Sequence, residues 1–227
     1  MSSIERTDES RADLWFADQT WGSYARTEQV DKTFDLFDRV DRLPQGATVL
    51  NLGSGWFLGV NAAMQLRRPD LNIIGVDSGY RLLSISDEAH ALDEGVRELY
   101  ETMSESDRTA LEADQRWRTN LVAGVVEQIP LATGSVDLLF AHAVIPENTE
   151  PHERAFMWAF EEMSRVLKPG AQALLAPHWD TPDSVWGRTV AAAVEGGLFD
   201  SGEVSENPIY IPEIGHTLDA YMTTFVR

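Results

Sequence analysis

The stretch that decides the fold is residues 48–55, which read TVLNLGSG. The run from Ala47 to Leu52 is largely apolar and bounded by turn residues, so it predicts a buried strand. Gly53 and Gly55 follow and predict a sharp turn, and the positions from Leu58 to Arg67 predict a helix after it. Ligands of open α/β sheets bind at the carboxyl ends of the strands, so these glycines mark a candidate site.

Outward from this stretch, four further apolar runs predict buried strands, and segments of helical periodicity lie between them. Short strands that alternate with helices predict a mostly parallel sheet with right-handed crossovers, which is a doubly wound, Rossmann-like α/β fold. Helices are predicted over residues 153–167 and 185–194, and a last strand over 221–226. The four further strands are predicted at residues 71–76, 121–126, 136–141 and 171–176.

We divide the chain into an N-terminal helical segment, residues 1–45, and one α/β domain, residues 46–227. Within the N-terminal segment, apolar positions from Val30 to Val40 predict one amphipathic helix. Residues 84–119 exceed an ordinary crossover in length, and their charge and periodicity predict a helical insertion that forms a solvated cap.

The composition excludes several classes of function. The chain has 227 residues, 43% of them apolar, which is enough to bury a core. It has no cysteine, and this excludes disulfides, thiolate zinc sites, a cysteine nucleophile and cysteine-ligated iron–sulfur clusters. The net charge of −19 argues against nucleic acid or an anionic membrane as partner. Without a signal peptide or an apolar run of roughly 20 residues, we expect a soluble, cytoplasmic protein.

The predicted second strand ends in Asp77, where a carboxylate can accept hydrogen bonds from both hydroxyls of a ribose. Together with the glycine turn, this acid suggests a nucleoside cofactor. Two ligands remain open, a dinucleotide or an adenosyl compound without phosphate. Neither full dinucleotide pattern is met, because Phe57 and Leu58 stand where a third glycine would fall.

Three more strings follow in order, namely GVVEQIPL at 124–131, GSVDLL at 134–139 and RVLKPGA at 165–171. With the glycine turn, they resemble the class I S-adenosylmethionine-dependent methyltransferases over about residues 47–176. The resemblance implies S-adenosylmethionine as the cofactor. In related enzymes an N-terminal helical segment forms a lid, so Trp15, Trp21 and Tyr24 are expected to shape the substrate pocket; packing of these rings against the sheet is the alternative.

By the same resemblance, the cofactor-binding residues follow the carboxyl ends of four strands. The methionine half would pass the glycine turn, the ribose would meet Asp77, and the adenine would lie near the loop after the third strand. The end of the fourth strand would face the sulfonium, which Trp56 can attract by a cation–π contact. The implied residues are Asn51, Gly53, Ser54, Gly55, Trp56, Asp77, Ser78, Val125, Val126, Glu127, Ala141 and His142.

The sequence departs from the family pattern at Asn51, Phe57 and Val125, which replace an acid, a glycine and an acid, respectively. These departures keep two alternatives open. One is a non-methylating enzyme, in which the amine or carboxylate of S-adenosylmethionine displaces methylthioadenosine from its own γ-carbon. The other is a non-catalytic, S-adenosylmethionine-binding regulatory subunit. A dehydrogenase is a more distant alternative.

Candidate catalytic residues are His142 and His178, which follow the fourth and fifth strands where a substrate would lie. Histidine titrates near neutral pH, so either residue can take a proton from an oxygen or nitrogen nucleophile, while simple packing is the alternative. Asn148 and Trp179 are further candidates for substrate binding. We expect no metal, because the histidines and acids of residues 142–152 lack the spacing of a helical ligand pair.

The sequence therefore predicts methyl transfer from S-adenosylmethionine to an oxygen or nitrogen atom of a small molecule. Because a sulfonium already activates the methyl group, catalysis would require in-line positioning, exclusion of water and at most one base.

Overall fold

The computed structural model describes residues 27–54, 58–78, 80, 100–101, 103–142, 153–178, 184–211, 216–218 and 220–227. The helices in these ranges are α1 Thr27–Phe34, α2 Leu36–Asp41, α3 Gly59–Arg67, α4 Glu105–Ala113, α5 Arg116–Thr119, α6 Glu153–Val166 and α7 Val185–Glu195. The strands are β1 Thr48–Leu52, β2 Asn72–Asp77, β3 Leu121–Ala123, β4 Val136–His142, β5 Leu167–His178, β6 Ser201–Glu206, β7 Ile209–Ile211, β8 His216–Leu218 and β9 Tyr221–Val226.

In the described part of the chain, seven strands form one sheet in the order β3-β2-β1-β4-β5-β9-β6. The strands from β3 to β5 are parallel, whereas β9 runs antiparallel to both of its neighbours. The strand order reverses at β1, as the doubly wound α/β fold requires. The predicted fold class is therefore confirmed.

Helices cover both faces of the sheet, because successive side chains of a strand point to opposite sides. On β4, Leu138 and Phe140 pack in a cluster with residues of α1, α2 and α3. Leu139 and Ala141 pack on the other face, with residues of α6 and α7. This burial on both faces explains why the central strands are nearly continuous apolar runs, and such runs could be recognised as strands in the sequence.

The N-terminal helix differs from the prediction, because the chain forms two short helices rather than one. Asp35 separates α1 from α2 and has a φ of 48°, a left-handed conformation that an aspartate tolerates better than most residues. The backbone nitrogen of Phe37 donates to Oδ1 of Asp31 at 2.8 Å across this break. Phe34 and Leu36 are 1% and 0% exposed, so the described end of the segment belongs to the core. Trp15, Trp21 and Tyr24 lie outside the described residues, and the lid remains a prediction.

Two strand boundaries also differ from the predictions. β3 ends at Ala123 rather than at residue 126, because the chain turns directly afterwards and Val125 bridges to Gln128. β5 extends from Leu167 to His178, beyond the predicted 171–176. β6 was not predicted, since it is an edge strand whose sequence, SGEVSE, is mostly polar.

The described part of the insertion consists of α4 and α5, which pack against α3. Their anchors are Leu111 and Trp117, at 1% and 4% exposure. The indole nitrogen of Trp117 donates to the backbone oxygen of Leu111 at 3.3 Å. None of the helices in the described ranges has the length and apolarity needed to cross a membrane.

Candidate functional site

The candidate site lies at the carboxyl edge of the sheet, where β1 stands between β2 and β4. The last residue of β1 pairs with Val76 of β2 and with Ala141 of β4. The residues that follow in the three strands, Gly53, Asp77 and His142, therefore lie next to one another along this edge. In a doubly wound sheet, a crevice opens at the point where the strand order reverses.

Gly53 makes the first turn possible. Its φ of 70° lies in the left-handed region, which costs a residue with a Cβ atom about 1 kcal/mol or more. Its backbone nitrogen donates to the oxygen of Val76 at 2.7 Å, so the turn is held against the end of β2. A side chain at this position would strain the turn where the resemblance predicts the methionine half of the cofactor.

Asn51 points into the protein interior rather than presenting a charge to the site. Its side chain is 6% exposed, and its Nδ2 donates to Oδ1 of Asn61 at 2.9 Å. Nδ2 of Asn61 is buried and has no hydrogen-bond partner among the described residues. The position where the family pattern has an acid is thus occupied by a neutral amide pair.

Ser54 uses its side chain to contact the turn that follows β2. Its Oγ lies 2.6 Å from the hydroxyl oxygen of Tyr80, and both residues are buried. Burial raises the pKa of the Tyr80 phenol. The sequence reasoning did not identify Tyr80, because a single aromatic three residues after Asp77 cannot be distinguished from an ordinary core residue.

The predicted ribose and adenine contacts are adjacent in space. Asp77 is the last residue of β2, Ser78 follows it, and the backbone oxygen of Asp77 accepts a hydrogen bond from the nitrogen of Gly124 at 3.2 Å. In the loop after β3, Val125 is 37% exposed and Glu127 is also exposed. Val126 is half-buried and packs against the core.

An arginine–glutamate pair on α6 anchors the loop that follows β3. Oε2 of Glu162 accepts a hydrogen bond from the backbone nitrogen of Ile129 at 3.0 Å. Arg165 donates to the backbone oxygens of Ile129 and Leu131 at 2.7 and 2.8 Å and forms an ion pair with Glu162. The arginine holds the pKa of the Glu162 carboxyl below its usual range. These contacts hold the loop against α6.

His142 is the last residue of β4 and lies at the site. Its ring meets the ring of Phe34 edge to face, with centroids 6.1 Å apart. Its Nε2 is buried and has no hydrogen-bond partner among the described residues. Burial lowers the pKa of His142 from 6.5 to about 4. The expectation of a near-neutral pKa is therefore wrong for His142, which is uncharged at pH 7.

The other predicted histidine, His178, lies on the strand next to His142. His178 ends β5, where it pairs with Tyr221, and His142 pairs with Ala176 of the same strand. The His178 side chain lies outside the described part of the structure. Within the described ranges, no cluster of three or more His, Asp or Glu side chains is arranged to hold a metal ion. Gly55, Trp56, Asn148 and Trp179 lie outside the described residues.

Comparison with solved structures shows the same fold in known methyltransferases. Phosphoethanolamine N-methyltransferase 2 of Haemonchus contortus, solved with S-adenosyl-L-methionine, is 14% identical with a TM-score of 0.51. The alignment covers 85% of this chain and 51% of that one, so this chain spans about half the length of that neighbour. Precorrin-6y C5,15-methyltransferase of Geobacter metallireducens is 12% identical with a TM-score of 0.50, covering 84% of this chain and 85% of that one.

Comparison with curated protein sequences finds no match. A family profile described as "Methyltransferase domain" matches residues 50–175, which is more than half of the chain and includes β2, β3 and β4 with most of β1 and β5. The chain therefore belongs to the methyltransferase domain family, and its fold is that of the class I enzymes that its motifs resemble.

Proposed function

We propose that this chain transfers a methyl group from S-adenosylmethionine to an oxygen or nitrogen atom of a small molecule. The observation that carries the proposal is the alignment of Gly53, Asp77 and His142 along the carboxyl edge of three neighbouring strands. The net charge of −19 supports a small acceptor over a nucleic acid, whose phosphates the protein would repel.

The residues at this edge fit an adenosyl ligand without phosphate. The turn at Gly53 leaves backbone rather than a side chain where a ligand would approach. Asp77 offers a carboxylate beside that turn, and the exposed Val125 offers an apolar surface nearby. A dinucleotide would place its pyrophosphate on a glycine-rich turn and the N-terminus of the following helix, but Phe57 and Leu58 stand where the third glycine of that pattern would fall.

Each of these residues has a proposed role. When bound, S-adenosylmethionine supplies a methyl group on a positively charged sulfur, already activated for displacement. Asp77 would accept hydrogen bonds from the ribose hydroxyls, and Val126 and Glu127 would hold the adenine. Gly53 would leave space for the methionine half, and Ala141 would lie next to the reacting atoms.

His142 acts in this proposal as a neutral hydrogen-bonding group. A pKa of about 4 makes its imidazole a weak base at pH 7, so storing a proton is unfavourable. Nε2 is buried in the structure, so the acceptor would have to displace the atoms that cover it; its hydroxyl or amine could then donate a hydrogen bond to Nε2, which would hold the nucleophilic atom in line. Proton release to solvent would then follow the transfer.

The test is mass spectrometry of the purified protein with S-adenosylmethionine and a panel of small alcohols, phenols and amines. The proposal predicts S-adenosylhomocysteine together with a methylated acceptor, both dependent on acceptor and protein. His142→Ala should lower turnover more than ligand affinity. Glu203→Gln, which alters an exposed residue of the edge strand β6, is the matched control and should change neither.

The same measurement separates the alternatives. Methylthioadenosine above a protein-free control, formed without any acceptor, would indicate the intramolecular displacement instead. Ligand binding with no product from any acceptor in the panel would favour the regulatory subunit.

A further inference from the structure

Two separate turns of the candidate site are joined by one buried hydrogen bond. Ser54 follows Gly53 in the turn after β1, and Tyr80 lies three residues beyond Asp77 in the turn after β2. Their hydroxyl oxygens are 2.6 Å apart, although the residues are 26 positions apart in the sequence. The first turn is expected to meet the methionine half of the ligand, and the second the ribose.

Packing against buried side chains holds the Tyr80 ring in place. Its residue is 7% exposed, and its ring packs in a cluster that connects the start of α3 with the helical insertion. The phenol also stays protonated at physiological pH, because burial raises its pKa. Tyr80 is thus a fixed hydrogen-bonding group. Its buried partners in the cluster are Leu58, Ala62, Leu111 and Trp117.

The structure also leaves room for the Ser54 hydroxyl. A Cβ atom added to Gly75 would lie 2.8 Å from Oγ of Ser54 and 3.2 Å from Nδ2 of Asn61. The absence of a side chain at position 75 therefore lets this hydroxyl sit over β2. The backbone nitrogens of Gly53 and Ser54 donate to the oxygen of Val76, at 2.7 and 3.4 Å. In the described part of the chain, these hydrogen bonds also tie the glycine turn to the end of β2.

We propose that Tyr80 is a positioning residue of the cofactor site, whose hydrogen bond to Ser54 fixes the distance between the glycine turn and the ribose-binding turn. The proposal rests on the proposed assignment of those turns to the two halves of S-adenosylmethionine. A ligand that carries both halves benefits from the fixed distance. A ligand that carries the adenosyl half alone does not depend on it.

The test measures affinity by calorimetry for two probes, S-adenosylhomocysteine, which has both halves, and methylthioadenosine, which lacks the amino-acid part. Tyr80→Phe and Ser54→Ala each remove the hydrogen bond, while Tyr80→Phe keeps the ring in its cluster. Each variant should weaken S-adenosylhomocysteine by about threefold to tenfold, the range expected from one buried hydrogen bond. Methylthioadenosine should bind as it does to the unchanged protein.

Two further variants of the chain complete the test. The double variant, with both Tyr80→Phe and Ser54→Ala, should bind S-adenosylhomocysteine as tightly as whichever single variant has the lower affinity. The losses should not add, because both changes remove the same hydrogen bond. Ser164→Ala removes another buried hydroxyl, which donates to Leu198 at 2.6 Å. It should lower the melting temperature without changing either affinity, since it lies at the C-terminal end of α6.

Equal losses for both probes, additive losses in the double variant, or unchanged affinities in both single variants would overturn the positioning role. Because the measurement needs no acceptor, it is independent of whether methyl transfer is the reaction. If the unchanged protein bound neither probe, the assignment of the cofactor site itself would be wrong.

Discussion

Asn51 and Asn61 form a buried amide–amide hydrogen bond of 2.9 Å at the end of β1, and this pairing leaves Nδ2 of Asn61 without a partner among the described residues. A buried donor without a partner costs roughly 1–3 kcal/mol. A carboxylate at position 51 would accept from this nitrogen after rotation of the Asn61 amide. The departure from the family pattern is therefore a change of charge that the neighbouring residue can accommodate.

We predict that Asn51→Asp increases the preference for S-adenosylmethionine over S-adenosylhomocysteine. The two ligands differ in the positive charge on sulfur, and a nearby carboxylate would attract that charge by roughly 1 kcal/mol, or about fivefold in Kd. Calorimetry with both ligands at low salt measures the ratio. An unchanged ratio would mean that position 51 does not sense the sulfonium, and Asn51→Ala serves as the uncharged control.

Asp77→Ala tests the ribose assignment. Two hydrogen bonds to a charged group contribute about 1.5–3 kcal/mol each, so the Kd for S-adenosylhomocysteine should rise by about 100-fold or more. Methylthioadenosine should lose affinity equally, because it keeps the ribose. The Glu203→Gln variant removes a charge from an exposed residue of β6 and should leave both affinities unchanged. Comparable affinity in Asp77→Ala and the unchanged protein would show that the ligand lies elsewhere.

His142 should make stability depend on pH. Its pKa is about 4 in the folded protein and 6.5 for an unperturbed histidine of the unfolded chain, so between these pH values the unfolded chain binds more protons. Folding stability should thus be highest above pH 6.5 and fall as the pH falls towards 4. Between pH 7 and pH 5 the loss should be about 1–2 kcal/mol. Urea unfolding at several pH values measures this loss. In His142→Gln, the part of the pH dependence of the unfolding free energy that comes from His142 should disappear. The same pH dependence in the variant and the unchanged protein would contradict burial of the imidazole.

The central sheet could be predicted because its strands are covered on both faces. Val49 and Leu50 point to opposite faces of the sheet and both are buried, so burial leaves a continuous apolar run. The polar edge strand β6 leaves no such pattern, and the break at Asp35 depends on a local backbone conformation that periodicity does not encode. Predictions from hydrophobic pattern therefore succeeded for the central strands and failed for β6 and for the break at Asp35.

The site was only partly predictable for a related reason. Gly53 and Asp77 are recognisable by their place at the end of a strand, but Tyr80 and Asn61 act through tertiary contacts with residues 54 and 51. Several residues of the recognised motifs stabilise the fold away from the site. Asp137 accepts hydrogen bonds from Lys168 and from the backbone nitrogen of Thr48, both at 2.8 Å, at the opposite edge of the sheet.

Arg165 provides the last prediction, because it is a motif residue whose contacts are all with the protein's own loop and helix. It donates to the backbone oxygens of Ile129 and Leu131 and forms an ion pair with Glu162 at 2.7 Å. A lysine keeps the charge but lacks the planar fork that reaches these partners together. Arg165→Lys should therefore lower the free energy of unfolding by about 1–2 kcal/mol and speed hydrogen exchange in residues 125–131.

The control for this change is Arg116→Lys, whose ion pair with Asp114 is more exposed than the pair on α6. An exposed pair contributes between about 0 and 1 kcal/mol, so this variant should lose less stability. Because Arg165 would act on the ligand only through the loop that it holds, its replacement should weaken the binding of S-adenosylhomocysteine less than Asp77→Ala does. If Arg165→Lys speeds hydrogen exchange in residues 125–131 but leaves the affinity for S-adenosylhomocysteine unchanged, the adenine does not contact this loop. If hydrogen exchange in the variant stays as slow as in the unchanged protein, Glu162 alone holds the loop.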